Sequence, residues 1–238
     1  MVKLLFVFVL VLSAAVVCAV PGCIRRGGSA QVVDQANAAS TYQSVYEALS
    51  PALLAAVGEV EVASRRAGGS SPPGRPIADL LEEQTAEIER LVLATGVAAS
   101  DFGTDYTRGA DTLLPHLVMA RGLARVLVAD AERLRERGDR DGAARRVAAI
   151  GRMAVHVARP ARWSIEWKVA CALAALAANF VDDNPSLASA AWKTDAQQAF
   201  AAIDETFSRA SSDAVGDAGP IMTETLAAVR RAGAALGR

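Results

Sequence analysis

The sequence predicts an all-α protein, a helical bundle of about eight helices behind an apolar N-terminal leader. Three observations carry this. Hydrophobic residues make up 52% of the 238 residues but aromatics only 5%, so alanine, valine and leucine supply the apolar content. That palette suits close-packed helices better than sheets, where β-branched and aromatic residues gather. Leu113, Leu117, Ala120, Ala124, Leu127, Ala131 and Leu134 recur in alternating steps of four and three, the stripe of one helix face. Finally, the helical stretches are punctuated by glycine and proline at helix-like intervals, and no stretch alternates as a half-buried strand would.

Length suits one large domain or two small ones. Net charge is −1, which provides no global field for nucleic acid and argues against a nucleic-acid binder. Residues 1–22 have the form of an export signal: Met1-Val2-Lys3 is a short positive start and Leu4 to Val17 an apolar run broken only by Ser13. The run is shorter than the roughly 20 residues of a spanning helix. Val17-Cys18-Ala19 offers a signal-peptidase site after Ala19, and Val20-Pro21-Gly22-Cys23 offers a lipobox in which Cys23 would be lipidated. An uncleaved anchor is the third option, because Arg25 and Arg26 balance Lys3. Each route predicts an extracytoplasmic protein, secreted or anchored through its N-terminus. With Cys18 and Cys23 in the leader region, Cys171 stands alone in an apolar helix and no disulfide framework is expected.

Beyond the leader, residues 27–67 read as an N-terminal helical pair. Asp34 is the expected cap of the first helix, which runs to about Leu49. Ser50-Pro51 starts the second, with serine at the cap and proline in the first turn. Residues 68–76 are a Gly/Pro/Ser linker, and 77–238 form the main bundle. A helix from about Ile77 to Thr95 ends at Gly96, and Val97 to Asp111 is a polar loop. Thr112 is the expected cap of the central helix, which ends at Arg137-Gly138. Asp139 or Asp141 caps the next, with Ala143, Val147, Ile150, Ala154 and Val157 inward and Arg145, Arg152, His156 and Arg159 on a solvated face. Residues 162–180 are apolar nearly all round, so this helix is expected to be the most buried. Trp192, Ala196, Phe200, Ile203 and Phe207 mark a further helix, Ser208 to Pro220 a polar loop, and Met222 to Leu236 the last helix.

Chemistry-bearing residues concentrate around the start of the central helix. Asp101-Phe102-Gly103 resembles a kinase triplet, yet the chain has neither the glycine-rich loop nor the strand lysine a kinase requires. Asp101, Asp105 and Asp111 lack the spacing and closing glutamate of a helix-loop-helix calcium loop, and read better as turn caps. His116 and His156 fall at the same end of antiparallel helices but lack further zinc ligands. No metal or cofactor is therefore expected. Trp163 and Trp167, with Glu166 between them, are expected to seal a helix join more than to wall a ligand groove. The candidate binding residues are Asp101, Asp105, Tyr106, His116, Arg121 and Arg125, where a polar loop feeds a rigid helix. A hydrolase-like enzyme using His116 with Asp101 or Asp105 is the alternative.

Two resemblances bear on these stretches. Leu127 to Pro160, with its Gly138-Asp139 turn, Ala143-Ala144 and terminal proline, resembles a single tetratricopeptide-like antiparallel helix hairpin at the centre of the bundle. Asp101-Phe102-Gly103, Asp105-Tyr106, Gly109, Leu114-Pro115-His116-Leu117, Arg121, Leu123-Ala124-Arg125, Asp130-Ala131, Gly138-Asp139, Gly142-Ala143-Ala144 and the His156 region resemble a family of exported all-helical proteins from planctomycete-type bacteria. The resemblance covers roughly residues 77–180 and implies a helical fold and an exported location, with no activity attached. Members often carry Cys before the Asp-Phe-Gly, where this chain has Ser100. The expected function is a non-catalytic exported or envelope-anchored protein that binds a protein or small ligand, with the membrane engaged only through the N-terminal segment.

Overall fold

A computed structural model describes residues 37–65, 76–189, 193–210 and 215–237. The leader, Cys23, most of the 68–76 linker and Trp192 lie outside the described residues, as does Asp34, whose expected role as cap of the first helix falls to Asn37. Among the described residues there are nine α-helices and no strand. These are α1 (Ala38–Ala48), α2 (Pro51–Arg65), α3 (Ile77–Glu83), α4 (Thr85–Ala94), α5 (Pro115–Glu136), α6 (Arg140–Ala158), α7 (Ser164–Asp183), α8 (Lys193–Ser208) and α9 (Gly219–Gly237).

Local chemistry sets most boundaries. Asn37 caps α1 by accepting from Ala39 N, and Ser50 caps α2 by accepting from Leu53 N at 3.1 Å. The helix expected over 77–95 is broken at Gln84. There Thr85 Oγ1 donates back to the carbonyls of Leu81 and Glu82, so the chain tightens and restarts. Thr112 does not cap α5. Its hydroxyl donates to Gly109 O at 2.7 Å and closes a 3-10 turn over Tyr106–Asp111, while α5 begins directly on Pro115. The last loop is shorter than expected, since α9 already begins at Gly219.

The α5–α6 turn is fully specified by its residues. Gly138 adopts φ +82°, and its N–H and that of Asp139 return to the carbonyls of Arg135 and Leu134, a Schellman closure. Asp139 then caps α6 by accepting from Gly142 N at 2.8 Å. A Cβ on Gly142 would meet that carboxylate at 2.3 Å, so the glycine is what allows the cap to close.

The most enclosed helix is α6, not α7. It packs along α5, α7 and α8, and its buried residues run almost unbroken from Gly142 to Ala158. Helix α7 leaves Ile165, Ala172 and Asn179 exposed. It is long and apolar enough to cross a membrane, but most of it is buried inside the bundle. On the other side of α6, α9 packs on α7 and α8, while α1 packs on α4 and α5, and α2 on α5. Tyr42, Val45 and Leu53 of the N-terminal pair belong to the same core as the main bundle.

A charged cluster is embedded where α4, α5 and α6 meet. Asp130 is fully buried and accepts from Arg133 Nε and Nη2 through one oxygen and from Arg146 Nε at 2.8 Å through the other. Arg146, 2% exposed, also reaches Glu89 of α4 at 2.5 Å. Asp130 is the one buried anion the two arginines share. Without it Arg146 keeps only half-exposed Glu89 and Arg133 only exposed Glu82 at 3.6 Å, and a buried guanidinium so weakly compensated is costly. Asp130→Ala is expected to lower unfolding free energy by roughly 3–5 kcal/mol in denaturant titration. Glu205→Ala, which breaks the exposed pair with Arg209, should change it by less than about 1 kcal/mol.

Candidate functional site

The two hairpin turns orient the helices so that one end of the bundle gathers most of the candidate residues. Helices α5 and α7 are parallel, each antiparallel to α6, and contacts of Cys171 with Thr225 and of Lys168 with Asp217 set α9 parallel to α7. Thus the first turns of α1, α5, α7 and α9 and the last turns of α4 and α6 share one end. The 95–112 segment crosses it, and we call it the loop end.

The segment is fastened to α1 by a backbone-like pairing. Asn37 Nδ2 donates to Asp101 O and Asp101 N to Asn37 Oδ1, both at 2.8 Å. Ala38 N donates to Ala99 O, and Ser100 Oγ to His156 O at 2.9 Å. The Asp101 carboxylate accepts from Gly103 N at 2.8 Å. The Asp105 carboxylate accepts from Thr107 Oγ1 and N, and these bonds hold it below the usual carboxylate range. Both aspartates are exposed turn-formers.

The carboxylate that faces His116 is Glu166, which is fully buried. Its Oε1 accepts from Tyr106 OH at 2.6 Å and lies 3.4 Å from His116 Nε2. Its Oε2 accepts from the backbone N–H of Arg162 and Trp163, at 2.8 and 3.0 Å. Burial by itself would raise this carboxyl, but the His116, Tyr106 and two backbone donors outweigh it and hold it below its ordinary value. Burial, then the Glu166 hydrogen bond and charge, push Tyr106 up to about 12. Arg162 lies over the Tyr106 ring at 5.0 Å, a cation–π contact on the outer side of the knot.

A row of rings extends inward. His116 stacks on Phe102 with centroids 4.7 Å apart, Phe102 lies 6.5 Å from Tyr42, and Tyr42 lies 5.8 Å from His156. The two histidines share the loop end, as expected, but two aromatic rings separate them. His156 is not on a solvated face. It is 3% exposed because Tyr42 of α1 and the 97–100 turn cover it. Its Nδ1 is 2.6 Å from Tyr42 OH, and the Val97 backbone lies beside the ring. Burial lowers its pKa to about 4.

Arg121 is exposed and Arg125 half-buried on α5, neither forming part of the Glu166 knot. Trp163 and Trp167 part company. Trp167 is buried edge-on against Phe207 of α8, and Trp163 stands 39% exposed at the start of α7. Burial pushes the Cys171 thiol up to about 11. A groove of about 200 Å³ runs between the Thr95–Ala98 turn, α6 and α8. Its guanidinium groups are engaged, Arg152 by Asp195 and Thr95, and Arg159 by Ala98 O.

Sequence reasoning missed Glu166, Tyr42 and Phe102. For Glu166 a signal exists: a glutamate three residues after a helix cap position is placed to receive that cap's N–H. The two tyrosine and phenylalanine contacts are long-range and leave no local pattern.

No family model, no curated protein and no solved structure matches this chain. Two outcomes follow from the geometry. Tyr106→Phe, which removes a hydrogen bond to a buried charge, should cost about 1.5–3 kcal/mol in denaturant titration. His156 is about 6.5 unfolded and about 4 folded, so the unfolded chain takes up the proton first as pH falls. Stability from this group is complete above about pH 6.5 and is lost progressively toward pH 4, by about 3 kcal/mol in total. His156→Gln should flatten that window in thermal melts taken across pH.

Proposed function

We propose that this chain is a non-catalytic helical binding protein of the cell envelope that presents its loop end to a partner. It is exported, and released or held there by its N-terminal segment, through lipidated Cys23 or an uncleaved leader. The supporting observation is the contrast between what is closed and what is open at the loop end. The titratable groups below the surface are engaged inside the bundle: Glu166 takes four donors, His116 is buried on Phe102, and His156 Nδ1 is held by Tyr42 OH. The apolar side chains around them, Leu113, Val118, Trp163 and Ile165, are exposed.

An acid–base enzyme needs its histidine and carboxylate within reach of a substrate. The pairing of His116 with Asp101 or Asp105 has no geometry in its favour, because both aspartates are occupied as turn caps and Glu166 takes that position. Rigid support beneath an exposed apolar surface is the arrangement of a recognition site. The leader pattern and the resemblance of residues 77–180 to exported helical proteins favour the envelope, and a net charge of −1 disfavours nucleic acid as partner.

Photo-crosslinking in intact envelopes tests this. A photoreactive residue at Val118 or Arg121 should form adducts, whereas one at Arg140, at the opposite end, should not. Equal labelling at Arg140, or none at Val118 and Arg121, would sink the assignment. Intact mass of the mature chain separates a diacylglyceryl Cys23 from cleavage after Ala19.

A further inference from the structure

The exposed apolar side chains are not scattered. Among the residues whose side chains are described, a set that leaves out 59–65 and 110–111, the large hydrophobics left exposed are Leu93, Leu113, Val118, Trp163, Ile165 and Ile221. Every one lies at the loop end: Leu93 in the last turn of α4, Leu113 and Val118 at the start of α5, Trp163 and Ile165 at the start of α7, and Ile221 at the start of α9. Singly exposed hydrophobics are ordinary, but their segregation to one end needs a cause. The opposite end, with the Arg137–Asp139 turn, has none among them.

The same end is where the chain enters the bundle. Asn37, the first described residue, is bonded to Asp101 of the loop-end segment. Only 14 positions separate Cys23 from Asn37, a reach of at most about 50 Å fully extended. A chain held at a membrane through Cys23 or the leader is thus attached from its loop-end side. The α5–α6 turn, about 33 Å away along the 22 residues of α5, is within the same reach, so the side chains decide which end meets the lipid surface. Those of the loop end suit that surface. Tryptophan belongs at the headgroup level, branched aliphatics just below it, and the exposed Arg108, Arg121, Arg159 and Arg162 among anionic headgroups. Exposed Asp101, Asp105, Asp217 and Glu224 stand against them, Asp217 paired with Lys168, so the described loop-end charges are close to balanced and the apolar side chains carry the match.

We infer that the partner of the loop end is the bilayer surface itself, with Trp163, Ile165, Leu113 and Val118 entering the headgroup region. This rests on the envelope-tether reading above. A tether holds the body at high effective concentration, so a shallow apolar contact suffices to set its orientation. The consequence is a bundle that stands on its loop end, with the α5–α6 turn and the far ends of α7 and α9 directed away from the membrane.

The test uses the full chain reconstituted with vesicles of zwitterionic lipid carrying a minority of anionic lipid, with bromine on the acyl chains near the headgroups as quencher. The chain has three tryptophans, of which Trp167 is buried against Phe207. Flotation reports the tether, and tryptophan quenching reports the docking. Docking predicts that Trp163→Phe removes about half or more of the quenching, since Trp163, unlike the buried Trp167, is exposed at the loop end. Ile165→Asp, with Trp163 retained and helicity unchanged, should reduce it as well. Flotation with quenching unchanged in both variants overturns the docking and leaves the tether standing. Failure to float overturns the tether and the docking with it. Lipid-independent crosslinking between two copies at Val118 would assign the face to self-association and overturn the bilayer as its partner.

Discussion

Four donors from three parts of the chain converge on one buried carboxylate, and the loop end depends on that convergence. Glu166 holds the α6–α7 turn through the N–H groups of Arg162 and Trp163, the 3-10 turn through Tyr106, and the first turn of α5 through His116. None of these segments is secured there by regular backbone pairing. A carboxylate in the interior is stable only when its lone pairs are filled, so Glu166 and its donors are mutually required. The 95–112 segment is held from the other side by Asn37, whose amide pairs with the backbone of Asp101. A long connection thus becomes a fixed part of the surface.

The same logic operates deeper in the bundle. Helix α6 is lined with alanine and glycine, which lets its neighbours approach closely but leaves few large side chains to define register. Arg146 supplies that definition by joining Asp130 of α5 to Glu89 of α4. Two buried polar centres, Asp130–Arg146 in the body and Glu166 at the loop end, therefore fix how alanine-rich helices align. Between them, the row His116, Phe102, Tyr42 and His156 carries the alignment across to α1.

Much of this was legible locally. The Gly138 turn, the Asp139 cap and the Ser50-Pro51 start each depend on residues within a few positions of one another and form as their patterns imply. Of the stripe from Leu113 to Leu134 the span Leu117 to Ala131 is buried, whereas Leu113 precedes α5 and is exposed and Leu134 is half-buried. Gln84 was not legible as a break, because Ile77, Leu81, Ile88 and Leu91 keep helical spacing across it while the Thr85 hydroxyl competes for the ladder's carbonyls. Asp101 and Asp105 were readable as turn caps from their loop context. The burial of His156 was not, since its cover comes from Tyr42, which lies 114 positions away.

The sequence alone determined the helical class, the order of the helices, the Ser50 and Asp139 caps and the concentration of polar and aromatic residues before α5. These follow from periodicity and from hydrogen bonds that close over one or two turns. Only the tertiary structure decided that Glu166 and not Asp101 or Asp105 would face His116, that α6 and not α7 would lie most enclosed, and that the exposed hydrophobics would collect at one end. Each of those outcomes depends on which helix ends are brought together, and that is set by packing between segments far apart in the chain, about which local pattern carries no information.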